Sequence, residues 1–270
     1  MSTFEIFQAI ILGLVEGLTE FLPISSTGHL IIAGDMLGYT GEQAKTFSIV
    51  IQLGAILAVC WHYRVRLLEL ANGLLHDRPS QRFVFNLILA ICPSALLGLA
   101  LHRYIKYYLF NPTSVAVALV VGGLVILLVE KKERHVRIAD MDELSWKDAL
   151  KVGFAQAVSL IPGVSRSGAT IIGGLLFGLS RRAATEFSFF LAIPTMFLAT
   201  GYDLFSSWQS LSAGDFPFFL IGFVVAFMSA LLAIRGLLWY VAHHDFRLFA
   251  YYRIAFGVLV LGYFIFLAQP

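Results

Sequence analysis

The sequence predicts an all-α polytopic membrane protein. Hydrophobic residues make up 59% of the 270-residue chain, charged residues only 13%, and the mean hydropathy is +0.81. A soluble domain of this length could not bury so much apolar side-chain area. The net charge of +2, without a basic face interleaved with exposed aromatic residues, gives no indication of a nucleic-acid partner.

Six apolar runs are long enough to cross about 30 Å of hydrocarbon as helices. The first apolar segment of the chain is different, because Glu16 and Glu20 interrupt it and it has no basic start, so we expect no cleavable signal peptide. We predict a single integral membrane domain over residues 1–270. The six predicted spans cover residues 45–62, 83–102, 113–130, 184–204, 216–234 and 250–268.

Two further apolar regions are divided by a proline into arms that are too short to cross. The second arm of each pair has about 12 residues, or about 18 Å of helix. We therefore predict two re-entrant helix-loop-helix hairpins. Backbone groups at such tips are tolerated only where protein or a water-filled cavity satisfies them, so the tips are expected to line a site. The arms are residues 6–21 and 27–38 around Pro23, and residues 149–160 and 167–178 around Pro162.

The two hairpins belong to an internal repeat. Residues 25–55 align without a gap on residues 165–195, and nine of the 31 positions are identical, including Ser25 and Ser165. Each half then contains one hairpin and three transmembrane helices, and an odd number of crossings gives the two repeats inverted topology. We predict repeat one at about 1–130, a cytoplasmic linker at about 131–147 and repeat two at about 148–270.

The basic residues predict the orientation. Loops 63–82, 131–151 and 235–249 are rich in Lys and Arg, whereas the loops near 103–112 and 205–215 are poor, which assigns the first set to the cytoplasm. The first hairpin would then enter from the periplasm or exterior and the second from the cytoplasm. The charges counted as cytoplasmic are Arg64, Arg66, Arg78, Arg82, Lys131, Lys132, Arg134, Arg137, Lys147, Lys151, Arg181, Arg182, Arg235, Arg247 and Arg253.

Polar and charged side chains are concentrated at the two predicted tips. A charged side chain at the bilayer centre costs at least about 2.5–3.5 kcal/mol, so these groups should pair with one another or with a ligand. The first stretch reads Glu16-Gly-Leu-Thr-Glu20-Phe-Leu-Pro23-Ile-Ser25-Ser26-Thr27-Gly28-His29, and the second reads Ile161-Pro162-Gly163-Val164-Ser165-Arg166-Ser167-Gly168-Ala169-Thr170.

These residue types suit phosphoryl transfer. The start of each second arm presents free backbone N–H groups to an anion, and Arg166 adds a planar set of donors. Glu16 and Glu20 share one helical face and would repel a phosphate unless a divalent cation bridges them or one carboxyl is protonated. A hydroxyl or water could attack, with His29 or a glutamate moving the proton.

Other interpretations stay open at this point. The tip serines could be plain helix caps, and Ser48, Ser94, Ser188 and Ser229 are expected to mediate close helix packing. A lipid-phosphate transporter or flippase is the alternative function, because inverted repeats with broken helices also build transporters. A transporter needs access from both membrane faces, whereas a phosphatase needs access from one.

The two stretches closely resemble the signature motifs of bacterial undecaprenyl pyrophosphate phosphatase of the bacitracin-resistance type, and chain length and motif spacing are also similar. The resemblance implies an inner-membrane enzyme that removes the terminal phosphate of undecaprenyl diphosphate on the periplasmic side. It would thereby recycle the lipid carrier for cell-wall polymer synthesis and confer bacitracin resistance. The resemblance also implies a divalent cation, Mg²⁺ or Ca²⁺, and a homodimer.

The family's functional positions fall on Glu16, Glu20, Ser26, His29, Ser165, Arg166 and Thr170. Our hypothesis is that Ser26 attacks the distal phosphorus with His29 as base, although His29 or water stays possible as nucleophile. The polyprenyl tail is expected in a lipid-facing groove. We assign catalysis to Glu20, Ser26, His29 and Arg166, substrate binding to Ser25, Thr27, Ser165, Ser167 and Thr170, and metal binding to Glu16 and Glu20.

Overall fold

Residues 1–109, 111–131, 135–206 and 216–266 are described by a computed structural model. Within these ranges the chain forms eleven α-helices, a π-helical turn at Ile105–Leu109 and two short 3₁₀ turns. The helices are α1 (Thr3–Thr19), α2 (Ser26–Met36), α3 (Glu42–His62), α4 (Arg64–Gly73), α5 (Arg78–Tyr104), α6 (Pro112–Glu130), α7 (Trp146–Ala157), α8 (Arg166–Leu176), α9 (Arg181–Ser206), α10 (Phe216–Val241) and α11 (Arg247–Phe266).

Six of these helices, α3, α5, α6, α9, α10 and α11, are long and apolar enough to cross a membrane. They coincide with the six predicted spans, so the prediction of an all-α polytopic protein is confirmed. Several helices are longer than predicted: α5 begins at Arg78 and α10 continues to Val241. Their ends carry basic and aromatic residues, which the aqueous headgroup layer tolerates, so hydropathy alone underestimates their length.

Helix α4 was not predicted, because it lies in the segment 63–82 that the sequence assigns to a loop. It is only 10 residues long and carries Arg64, Arg66 and Glu69, so it has neither the length nor the composition of a span. Leu70 is buried while Val65 is exposed. A search for membrane-crossing runs passes over such a short helix.

The helix pairs predicted around Pro23 and Pro162 are formed, as α1–α2 and α7–α8. Ser25 and Ser165 precede the second helix of each pair with φ of 71° and 68°, and no other non-glycine residue in the described ranges has positive φ. Such backbone strain costs about 1–3 kcal/mol and is concentrated at functional sites. Its occurrence at matching repeat positions is consistent with inverted repeats and re-entrant hairpins, whose course through the bilayer stays a prediction.

Each hairpin packs against a helix from the other half of the chain. Helix α1 lies along α10 and α7 lies along α5, while α6 and α11 pack together. Small residues allow the close approach of α1 and α10: a Cβ at Gly13 or Gly17 would meet the backbone oxygen of Gly222 or Ala226, respectively. Ser229 lies in the same contact, as expected for a packing residue. Because each hairpin packs against a helix of the other half, the two tips lie next to each other.

Arg253 is not a cytoplasmic loop charge, contrary to the sequence-based count. It lies on α11 six residues after Arg247, or about 9 Å along the axis, and it is 1% exposed. The basic loops that carry the orientation argument are otherwise unaffected. Lys132, Arg134 and residues 207–215 lie outside the described ranges.

Candidate active site

The two hairpin tips meet in an ion pair between Glu20 and Arg166. Glu20 directly follows α1, and Arg166 is the first residue of α8. Arg166 Nη2 donates to Glu20 Oε1 at 3.3 Å, and both side chains are nearly buried. Arg166 Nη1 donates to the carbonyl of Ser188 at 3.1 Å. The expectation that charges at the tips pair with one another or with a ligand is therefore confirmed for Glu20 and Arg166, and for Glu16 it stays a prediction.

Ser26 is joined to the same carboxylate. The Ser26 hydroxyl donates to Glu20 Oε2 at 2.5 Å, and both residues are buried. A carboxylate in direct contact with a hydroxyl is positioned to accept its proton. Glu20 thus contacts a possible nucleophile through one oxygen and the Arg166 guanidinium through the other.

His29 forms no hydrogen bond with Ser26 among the described residues, contrary to the expected pairing. Its Nδ1 donates to the carbonyl of Ser25 at 2.7 Å, and its Nε2 lies 2.7 Å from the hydroxyl of Tyr252. Because a carbonyl oxygen only accepts, Nδ1 carries the proton of the neutral ring and Nε2 accepts from Tyr252. The ring also stacks on Phe256 at a centroid distance of 4.0 Å. These contacts turn His29 towards α11, and its role as a base stays a prediction.

Two buried polar atoms at the site have no hydrogen-bond partner among the described residues. They are Oε1 of Glu16, a residue that is 1% exposed, and Nε of Arg166. Leaving such groups unpaired costs about 1–3 kcal/mol each, and more when they are charged. A ligand with both a cationic and an anionic part would satisfy both atoms.

The predicted metal site consists of two carboxylates and no more. Among the described residues no group of three or more His, Cys, Asp and Glu could hold a metal ion. Glu16 and Glu20 nevertheless offer the oxygen ligands that Mg²⁺ and Ca²⁺ prefer, and Mg²⁺ is commonly held by one or two carboxylates together with substrate phosphates. The unpartnered Glu16 oxygen fits such a shared site.

The hydroxyls of the second tip have defined partners. Ser165 Oγ accepts from the backbone N–H of Gly168 at 3.1 Å and so caps α8. Ser167 donates to the carbonyl of Leu22 in the first tip at 2.8 Å, which ties the two loops together. Ser167 therefore contributes to positioning, and the substrate-binding roles of Ser165 and Ser167 stay predictions.

Thr170 and Ser188 form hydrogen bonds with each other and with Arg166. Their hydroxyls lie 2.6 Å apart, and Thr170 also donates to the carbonyl of Arg166 at 3.0 Å. Because the Ser188 carbonyl accepts from Arg166, the sequence assignment of Ser188 to helix packing alone was incomplete. A serine in an apolar helix gives no signal that separates these roles.

The remaining predicted ligands are Ser25 and Thr27. Ser25 does not cap α2 with its side chain, contrary to the cap interpretation, and its carbonyl binds His29 instead. Thr27 lies half-buried in the first turn of α2. Their positions at the N-terminus of a helix suit an anion, and their binding roles stay predictions.

Arg253 holds both tips through their backbones and was missed as a site residue. Its guanidinium donates to the carbonyls of Pro23 in the first tip and of Gly163 and Val164 in the second, each at 3.1 Å. It also donates to the carbonyls of Leu119 at 3.3 Å and Ala118 at 3.2 Å in α6. The sequence feature that could have revealed this role is the position of Arg253 inside an apolar predicted span.

A family model described as bacitracin resistance protein BacA matches residues 9–259. The chain belongs to this family. The undecaprenyl-diphosphatase of Ectopseudomonas mendocina is 57% identical over 262 residues, which cover 97% of this chain and 95% of that protein. The undecaprenyl-diphosphatase of Nitrosomonas europaea is 58% identical over 261 residues, 97% of this chain and 95% of that protein.

A third relative, the undecaprenyl-diphosphatase of Methylococcus capsulatus, is 58% identical over 255 residues, 94% of this chain and 93% of that protein. The family inferred from the two motifs is therefore confirmed. Membership of the BacA family and the six apolar helices together identify a multi-pass membrane protein.

Proposed function

We propose that this chain hydrolyses undecaprenyl diphosphate to undecaprenyl phosphate and inorganic phosphate. The observation that carries the proposal is the continuous contact from Ser26 through Glu20 to Arg166, which joins a nucleophile, a proton acceptor and a phosphate ligand across the two tips. The names of the relatives in the BacA family support the same activity.

In the first step the bond between Ser26 Oγ and the distal phosphorus forms, and the bond from that phosphorus to the bridging oxygen breaks. The Ser26 proton moves to Glu20 Oε2, which already accepts its hydrogen bond. Undecaprenyl phosphate leaves with the bridging oxygen. Water then cleaves the phosphoserine, which returns a proton to Ser26 and releases inorganic phosphate, and Glu20 gives up its proton to solvent.

Arg166 neutralises phosphate charge during both steps. Its Nε has no partner among the described residues and is free to donate to a phosphate oxygen. The rigid guanidinium fork suits bidentate phosphate contacts better than an ammonium does. The N–H groups at the starts of α2 and α8 add further partial positive charge.

A divalent cation, Mg²⁺ or Ca²⁺, is part of the proposal. Glu16 and Glu20 would hold it, and the unpartnered Glu16 oxygen supports this assignment. When bound, the cation offsets the negative charge of the diphosphate beside the two carboxylates.

The basic loops favour an orientation with loops 63–82, 131–151 and 235–249 in the cytoplasm, and the family resemblance implies an inner-membrane enzyme whose active site faces the periplasm. There the reaction would recycle the lipid carrier for cell-wall polymer synthesis and confer bacitracin resistance. A homodimer and a lipid-facing groove for the polyprenyl tail complete the proposal.

The test is phosphate release from undecaprenyl diphosphate by purified protein, with and without a chelator. We expect turnover in the parental chain, near-complete loss in Ser26→Ala and loss on chelation. Ser48→Ala is the matched control, because that hydroxyl donates to the Ala44 carbonyl within its own helix and has no part in the tip contacts described above. Movement of lipid phosphate across vesicles without phosphate release would favour the transporter alternative instead.

A further inference from the structure

A polar cavity lies at the end of the α7–α8 pair remote from Arg166. Its volume is about 540 Å³. Helix α8 separates it from the active site, since Arg166 begins that helix and Leu176 ends it, about 15 Å away along the axis. The lining residues are His135, Arg137, Ser145, Lys147, Asp148, Lys151, Leu176, Phe177 and Gly178.

Two of the charged lining residues neutralise each other. Arg137 Nη2 donates to Asp148 Oδ1 at 2.5 Å and to the carbonyl of Phe177 at 3.0 Å. Burial opposes ionisation of Asp148, but hydrogen bonds from Arg137 and Ser145 hold its pKa below the ordinary value. The Arg137–Asp148 pair therefore adds no net charge to the cavity.

Lys147 and Lys151 remain as uncompensated charges. They lie one turn apart on α7, both are exposed, and among the described residues neither forms an ion pair with an acidic side chain. The Lys147 ammonium lies 5.6 Å from the Trp146 ring centroid, and that of Lys151 lies 5.8 Å from the Phe177 ring centroid. The cavity thus holds two cations, and the Phe177 ring near Lys151 is part of its wall.

Apolar side chains border these cations. Leu176 lines the cavity and is half-exposed, and Trp146 and Phe154 on α7 are exposed. Phe154 follows Lys147 and Lys151 at helical spacing, so it shares their face of α7. A cationic pocket next to exposed apolar surface matches an amphiphile with an anionic head.

We propose that this cavity binds the phosphate group of an anionic phospholipid. The lipid would belong to the leaflet next to the end of the α7–α8 pair where the cavity lies. Lys147 and Lys151 bind the phosphate, and Leu176 and Phe154 contact the acyl chains. Basic pockets on the cytoplasmic side of membrane proteins bind anionic headgroups in this way. Loop 131–151, which the sequence assigns to the cytoplasm, contributes lining residues, so the cavity lies on the predicted cytoplasmic side.

The test is native mass spectrometry of the full chain in detergent with added phosphatidylglycerol, phosphatidylcholine or inorganic phosphate. We expect the parental chain to bind phosphatidylglycerol in preference to phosphatidylcholine. Lys147→Gln combined with Lys151→Gln should weaken phosphatidylglycerol binding by roughly tenfold, since each surface cation contributes a small increment. Binding of phosphatidylcholine should not change.

The matched control is Lys131→Gln combined with Arg235→Gln, which removes two exposed charges from the same predicted membrane face. Equal weakening in both double variants would overturn the proposal, because it would reflect surface charge alone. An unchanged phosphatidylglycerol affinity in the cavity variant would also overturn it. If that variant loses only inorganic phosphate binding, the cavity takes a free anion and the lipid assignment is wrong.

Discussion

The Ser26 hydroxyl donates its hydrogen bond to Glu20, and not to His29. Glu20, directly after α1, accepts the Ser26 hydrogen bond at 2.5 Å, while both nitrogens of His29 are hydrogen-bonded to Ser25 and Tyr252. The contact makes Glu20 the nearest proton acceptor for a serine nucleophile. The possible nucleophiles can be distinguished by experiment, because a phosphoserine and a phosphohistidine differ in their stability to acid and base.

A rapid quench should trap a phosphoserine on Ser26. Enzyme mixed with distally labelled undecaprenyl diphosphate is expected to carry label that survives acid, is absent in Ser26→Ala and forms about 10²–10⁴-fold more slowly in Glu20→Gln. Label that survives only base would indicate His29 as nucleophile. Turnover of Ser26→Ala within about tenfold of the parental value would contradict the serine mechanism.

Arg166→Lys should lose most turnover while folding normally. Lysine keeps the charge but cannot donate through a planar fork to phosphate, Glu20 and the Ser188 carbonyl together. Phosphate release measures the effect, and the elution profile in detergent checks the fold. Arg182→Lys is the control, because Arg182 is exposed and forms an ion pair with Glu186 in the next turn of its own helix. Equal activity of the two variants would remove the basis for the phosphate contact.

Tyr252→Phe tests whether the orientation of His29 matters for turnover. The substitution removes the hydroxyl that donates to His29 but keeps an aromatic ring for stacking. A hydrogen bond contributes about 0.5–1.5 kcal/mol, so we expect turnover to fall about 2–10-fold. Tyr251→Phe, at an exposed neighbouring position, should leave turnover unchanged. No difference between the two variants would show that this contact does not support catalysis.

Arg253→Gln should destabilise the fold as well as the site. The shorter side chain cannot reach all five carbonyls, and each one left buried without a donor costs about 1–3 kcal/mol. We expect a clearly lower thermal midpoint in detergent than for Arg235→Gln at an exposed position. Equal midpoints would argue against the role of Arg253 in joining the tips.

Cysteine labelling tests the proposed orientation. A single cysteine in place of Lys45, in a chain without Cys60 and Cys92, should react from outside with a membrane-impermeant thiol reagent. A single cysteine in place of Asp140 should react only after the membrane is opened. The reverse pattern would invert the topology and move the proposed site to the cytoplasmic face.

The sequence alone determined the class of the protein, its six spans, the two proline-broken helix pairs and the residues at their tips. These features depend on hydropathy and on the local effects of proline, glycine and serine, which act within a few residues. The match between the two halves was also visible, because residues 25–55 and 165–195 share nine of 31 positions in a gap-free alignment. The family followed from the same two local stretches.

Only the tertiary structure decided which partners the tip residues have. Glu20 and Arg166 are 146 residues apart, and His29 and Tyr252 are 223 apart, so no local pattern links them. Arg253 looked like a loop charge because hydropathy does not show that two distant loops place their carbonyls around it. The contacts arise because each hairpin packs on the other half of the chain, and that exchange depends on the surfaces of whole helices.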